Sequence, residues 1–105
     1  MKSASRGEVW LVDYGMAAKV RPSVIFSASF ADDERALYAA VQHTTSTRGG
    51  RFEVPLPVRF LAPGAFDVQG LGPIRPTQLI RRLGTLTEDQ MDALAAAVKR
   101  WLVLG

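Results

Sequence analysis

Only the end of this chain has the periodicity of a long helix, and everything before it is cut into short runs rich in β-formers. Thr87-Glu88-Asp89-Gln90 matches a capping box, in which the Thr87 hydroxyl accepts from the Gln90 amide and the Gln90 side chain reaches back. Acids fill the first turn and Lys99-Arg100 the last, as the helix dipole prefers. Met91, Leu94, Val98 and Trp101 or Leu102 recur at spacings of three and four, which gives one apolar stripe to lay on a sheet.

The upstream runs read as strands. Glu8 to Asp13 is bounded by Gly7 and Gly15, and Ser23 to Ser29 and Leu37 to His43 follow, separated by the charged turn Asp32-Asp33-Glu34-Arg35. Arg51 to Leu56 alternates, with Phe52, Val54 and Leu56 on one face and Glu53 on the other. Pro55 and Pro57 place that strand at an edge or end it early. Val58 to Leu61 reads as a helical turn stopped by Pro63-Gly64, and Ala65 to Leu71 as a further strand. Pro76-Thr77-Gln78 begins a turn that leads into a strand from Leu79 to Leu86. Five or six short strands and one helix predict a mainly β fold, a small, strongly bent antiparallel sheet or open barrel with a C-terminal amphipathic helix. With 105 residues and 48% hydrophobic content, one domain is expected over residues 1–105, with residues 1–5 disordered.

Several chemistries are excluded by residue type. There are no cysteines and one histidine, so neither a thiolate nor a His-rich metal site is expected, and no cofactor is called for. The start of the chain lacks the apolar core of a signal peptide, and no run approaches the ~20 apolar residues of a membrane span, so a soluble cytoplasmic protein is expected. The formal charge is only +3, but Arg35 to Arg82 holds seven arginines against Glu53 and Asp67. Ten of the thirteen basic residues are arginine, whose planar fork suits phosphate or carboxylate, so the partner should be an anion.

Two places along the chain have the residue types for phosphate chemistry. Arg21 precedes Pro22, whose ring biases it toward extended backbone at the mouth of a strand, where a guanidinium is held rigidly enough to stabilise a developing charge. Thr44, Thr45, Ser46 and Thr47 then supply four hydroxyls ahead of Arg48-Gly49-Gly50-Arg51, a turn whose hydroxyls and free amides can bind phosphate oxygens. Taken singly, Arg21 also fits a salt-bridged strand end, and the hydroxyl run a polar hairpin loop. Thr44 shares a face with Tyr38, Ala40 and Gln42, and so points away from the core. His43 falls on the apolar face with Leu37, Ala39 and Val41, which favours a structural role, and no aspartate is spaced to form a triad with it. Trp10 and Phe66 are expected in the core.

In order, the segments RGEVWLVD, VRPSVIFS, VQHTTSTRGGRFEV and LIRRLGTLTEDQM resemble the MazF/PemK family of type II toxin–antitoxin endoribonucleases, over a span from Arg6 to Leu104. The resemblance implies an SH3-like, CcdB-type barrel, a homodimer, metal-independent cleavage of single-stranded RNA, and a cognate antitoxin whose acidic, flexible tail occupies the RNA groove. By position it implies that Arg21 and Thr44 are catalytic. The 2′-hydroxyl would attack the neighbouring phosphate to give a cyclic phosphate and a 5′-hydroxyl. Arg21 would stabilise charge and Thr44 orient the phosphate, while Lys19, Thr45, Ser46, Arg48, Arg51 and Gln69 would contact RNA. Two departures stand out: the first loop, residues 14–19, lacks a Gly-Ser-Glu-Gln-like segment, and Gln69-Gly70 stands where many members have an acid-glutamine pair. The alternative is a non-enzymatic CcdB-like toxin that binds a protein target such as gyrase, or an RNA-binding barrel that does not cut.

Overall fold

The computed structural model describes residues 2–15, 17 and 19–105. Seven strands form one antiparallel sheet: β1 (Glu8–Asp13), β2 (Val20–Ile25), β3 (Tyr38–Thr44), β4 (Glu53–Val54), β5 (Ala65–Asp67), β6 (Gly72–Ile74) and β7 (Leu79–Thr85), followed by the helix α1 (Glu88–Leu102). The spatial order is β4-β5-β3-β2-β1-β7. One edge of β3 pairs with β2, and the other is shared, with β6 taking Tyr38–Ala40 and β5 taking His43–Thr44. The sheet bends strongly, as expected. Among the described residues β4 and β7 do not pair, so it is not closed into a barrel.

The boundaries that differ from the sequence reading have local causes. β2 starts at Val20 rather than Ser23 because Val20 pairs with Asp13, and it ends at Ile25 because the Ser27 hydroxyl takes the Ala39 N–H at 2.9 Å in place of a ladder bond. β4 is cut to two residues by Pro55 on one side and by a turn on the other, in which the Glu53 N–H donates to the Gly50 carbonyl at 3.1 Å. The strand expected from Ala65 to Leu71 is broken by a 3-10 turn at Val68–Gly70, because the Asp67 side chain caps the Gln69 N–H at 3.1 Å. β7 pairs with β1 through two bulges, at which Leu83 and Ile80 are skipped.

Each face of the sheet has its own core. Helix α1 lays Met91, Leu94, Ala97 and Val98 on Val9, Val24, Val41, Phe66 and Val68. Its capping box forms as the sequence predicts, with the Thr87 hydroxyl accepting from the Gln90 N–H at 3.1 Å. The apolar stripe stops at Val98: Trp101 and Leu102 are exposed, Ala97 completes the buried set, and Trp101 rests against the ring of Phe52 with centroids 5.1 Å apart. On the opposite face Trp10, Val12, Ile25, Tyr38, Ala40, Ile74 and Leu79 cluster. The disorder expected for residues 1–5 does not extend to Ala4, which is buried in this second core and donates its N–H to the Tyr38 hydroxyl at 3.0 Å. Met1 lies outside the described residues.

Candidate active site

Strand register explains how residues far apart in the chain come to share a surface. Ser23 of β2 lies across from Gln42 of β3, and Glu53 of β4 across from Asp67 of β5. Continuing the His43–Phe66 register by one step sets Asp67 across from Gln42, and continuing the Ser23–Gln42 register by two sets Arg21 across from Thr44. Two polar rows therefore run across the sheet, one through Arg21 and Thr44, the next through Ser23, Gln42, Asp67 and Glu53. Both lie on the face of the second core, beyond the point where Ile25 and Ala40 end its apolar part. Ser23, fully buried at the head of its row, is satisfied by the Tyr14 hydroxyl at 2.7 Å, and burial pushes the Tyr14 phenol up despite that bond.

A cleft of ≈ 660 Å³ opens over these rows. Arg21, Arg48 and Arg51 supply its cations, and Gln42, Thr44, Ser46 and Gln69 its neutral polar groups. The Thr44 hydroxyl oxygen accepts the Ser46 N–H at 3.0 Å, which leaves the hydroxyl proton to donate into the cleft. Arg21 is exposed and makes no ion pair among the described residues, where the only salt bridge joins Arg82 to Glu8 at 3.2 Å. The salt-bridged reading of Arg21 is thus removed. Glu53 and Asp67 also line the cleft, and both carboxylates accept from backbone amides.

Of the residues singled out in the sequence, the structure brings Arg21, Thr44, Ser46, Arg48, Arg51 and Gln69 to this cleft. Lys19 and Thr45 do not line it. Lys19 closes the first loop with a positive φ of 62°, and Thr45 lines a neighbouring cavity of ≈ 420 Å³ with Thr47, Pro55 and Pro63. Met16 and Ala18 of that first loop lie outside the described residues. Two amides of the glycine turn are not free for a ligand as expected, because the Arg48 and Gly49 N–H groups already donate to the Glu53 carboxylate. His43 is buried edge-on to Phe66 with centroids 5.0 Å apart, on the face opposite Thr44, and burial lowers its pKa. The sequence reading passed over Glu53, Asp67 and Phe52 as site residues, because only the β4–β5 pairing carries them to the cleft. Among the described residues no group of three or more His, Cys, Asp or Glu is placed to hold a metal ion.

Solved structures share this fold. A mycobacterial endoribonuclease in complex with its cognate antitoxin matches at a TM-score of 0.83 and 23% identity, covering 98% of each chain. A MazE-MazF complex from Deinococcus radiodurans matches at 0.82 and 16% over 100% of both. The Mycobacterium tuberculosis toxin MazF-mt6 matches at 0.77 and 24%, covering 93% of this chain and 98% of its own. No curated protein matches the sequence. Residues 5–102 fit the sequence model of the PemK-like, MazF-like toxins of type II toxin-antitoxin systems, and the chain belongs to that family.

Proposed function

We propose that the chain is the endoribonuclease toxin of its system, cutting single-stranded RNA without a metal through attack of a 2′-hydroxyl on the adjacent phosphate. The observation that carries this reading is the meeting of an unpaired guanidinium carried on β2 and a donor hydroxyl at the end of β3, Arg21 and Thr44, in one cleft flanked by Arg48 and Arg51. In the phosphorane-like transition state negative charge grows on the non-bridging oxygens. Arg21 offers two donors to that charge and Thr44 one, both carried on strand backbone. Arginine is too weak an acid to act as a base at neutral pH, so its role is electrostatic. The products are a 2′,3′-cyclic phosphate and a 5′-hydroxyl.

Arg48 and Arg51 track the phosphate backbone on either side of the cut, helped by Ser46 and Gln69, and the chain works as a homodimer in the cytoplasm. No helix among the described residues is long and apolar enough to cross a membrane. A cognate antitoxin with an acidic, flexible tail neutralises it by laying carboxylates where RNA phosphates would lie. The antitoxin complexes formed by structural neighbours support that partner. The test is purified protein with mixed-sequence RNA in excess chelator, with the 5′ ends of the fragments sequenced. Fragments with 5′-hydroxyl ends that disappear with Arg21→Ala are expected. Intact RNA alongside growth arrest in cells would overturn the reading in favour of a protein target.

A further inference from the structure

A phosphate-binding cleft does not by itself account for its acids. Glu53 and Asp67 lie directly across from each other, a like-charge pair that ordinarily weakens a sheet. Glu53, however, is not a free charge. Its Oε1 accepts the Arg48 N–H at 2.9 Å and the Gly49 N–H at 2.8 Å, while Oε2 lies 3.1 Å from the Arg48 nitrogen. Gly49, at φ 72°, turns the chain so that these successive amides converge, which makes the kind of backbone concavity that holds anions. Here the anion comes from the protein itself. The Glu53 N–H closes the same turn onto the Gly50 carbonyl.

We propose that Glu53 is the positioning residue of the cleft, fixing the 45–52 loop so that Arg48 and Arg51 meet the RNA backbone together. This rests on the RNA-binding reading above. Residues 45–51 are all exposed, and the loop's other anchors are the Ser46 N–H on the Thr44 hydroxyl and an aromatic stack, in which the Arg51 guanidinium sits 4.5 Å over the Phe52 ring and that ring leans on Trp101. Without the carboxylate two amides turn to water, and both arginines must be ordered anew each time RNA binds.

The proposal predicts an effect opposite in sign to that of charge alone. Deleting an acid from a cationic cleft tightens RNA binding by simple electrostatics, whereas losing the clamp weakens it. Glu53→Gln removes the charge and keeps an acceptor at the same reach, and Glu53→Ala removes both. Each variant is titrated with a 2′-fluoro single-stranded RNA, which cannot be cut, across a range of salt, and cleavage is measured on the 2′-hydroxyl form. Glu53→Ala should lower the slope of log affinity on log salt by about 1.4, for two lost single-strand phosphate contacts, so that its deficit relative to wild type shrinks ~7-fold between about 50 and 200 mM salt. Its KM should rise with kcat nearly unchanged, since Arg21 and Thr44 are untouched. Glu53→Gln should bind as well as wild type or better. Amide exchange at Arg48 and Gly49 should speed up in Glu53→Ala only. The proposal is overturned if Glu53→Ala binds as tightly as wild type with an unchanged slope, or if Glu53→Gln is as weak as Glu53→Ala. Wild type that binds RNA without cutting it refutes only the cleavage reading, and the affinities still decide the role of Glu53. Wild type that fails to bind RNA refutes both.

Discussion

Gly64→Ala is the substitution that most directly asks whether the end of β3 carries the chemistry. Gly64 immediately precedes β5, whose Ala65 pairs with Thr44, and it backs onto the Thr44 peptide. A methyl group there would overlap the Thr44 carbonyl oxygen and come within 2.9 Å of both the Thr44 carbonyl carbon and His43 Cε1. Relaxed carbon contacts lie at about 3.5–4.0 Å, so the peptide must retreat by roughly 1 Å. Neither neighbour yields cheaply, since Thr44 is held in the ladder and His43 is buried against Phe66. Overpacking of this kind costs about 1–3 kcal/mol, and in a domain of this size each kcal/mol lowers Tm by about 4–8 °C. Molecules that remain folded carry a Thr44 displaced by about 1 Å, enough to cost ~100-fold in rate. The assay pairs thermal unfolding with initial rates on RNA in excess chelator, at a temperature well below the variant's transition. Gly50→Ala is the stability control, because an added Cβ there meets nothing within 4 Å. Gly84→Ala is a graded one: the obstacle is the Phe60 ring at 2.5 Å, the far end of a half-exposed side chain that can swing aside, so some stability is lost and the rate is kept. A Gly64→Ala protein that melts and cleaves like wild type would refute the reasoning.

Other substitutions separate the roles assigned above. Arg21→Ala should cut the cleavage rate by ~100–1000-fold with Tm unchanged, as removal of a preorganised donor to a developing oxyanion does; a loss below tenfold in single-turnover rates would contradict it. His43→Leu should leave the rate at neutral pH within a few-fold, and a large loss would make His43 more than a packing group. The same variant should blunt the acid sensitivity of stability. Burial lowers the His43 pKa below its ordinary 6.5, so as pH falls through 6.5 the unfolded chain takes up that proton first and the folded state loses stability, while above 6.5 the contribution is intact. Urea midpoints measured from pH 8 down to 5 would show it. Thr87→Ala should destabilise the fold by ~1 kcal/mol through loss of the helix cap, with cleavage unaffected when measured well below the transition.

What could be read from the sequence divides along physical lines. Local signals held: β1 and the capped helix follow from β-propensity and from the side-chain chemistry of Thr87 and Gln90, and both appear at the expected residues. Side-chain alternation also held along β3, where it separated Thr44 from the buried His43. Pairing between distant strands was not legible, because nothing local to Glu53 or Asp67 says that a two-residue strand brings them face to face. The role of Gly64 was hidden for the same reason. Pro63-Gly64 reads as a stop signal, whereas the lack of a Cβ matters for a peptide twenty residues earlier. The hydroxyl and glycine loop misled in a narrower way. Its amides were taken as open to a ligand, and an acid later in the chain had already claimed those of Arg48 and Gly49.

Under the function proposed above one cleft must serve both RNA and an acidic inhibitor, and that internal claim bears on how. A guanidinium takes phosphate and carboxylate with the same fork, so the charge of Arg21, Arg48 and Arg51 cannot by itself tell the proposed substrate from the proposed antitoxin. Discrimination has to come from groups that act on a phosphate and not on a carboxylate. Thr44 is the candidate, since its hydroxyl proton is directed by the bond from the Ser46 amide and gains most when charge builds up on the non-bridging phosphate oxygens. Arg48→Ala should therefore weaken RNA and a carboxylate-rich peptide in parallel, with both salt slopes shallower by similar amounts. Thr44→Val should leave both affinities within about threefold and lower kcat by ~100-fold, the loss expected when a donor acts chiefly in the transition state. If Thr44→Val instead loses RNA affinity in step with kcat, Thr44 holds the ground state, and the division of labour between the guanidinium groups and the hydroxyl fails.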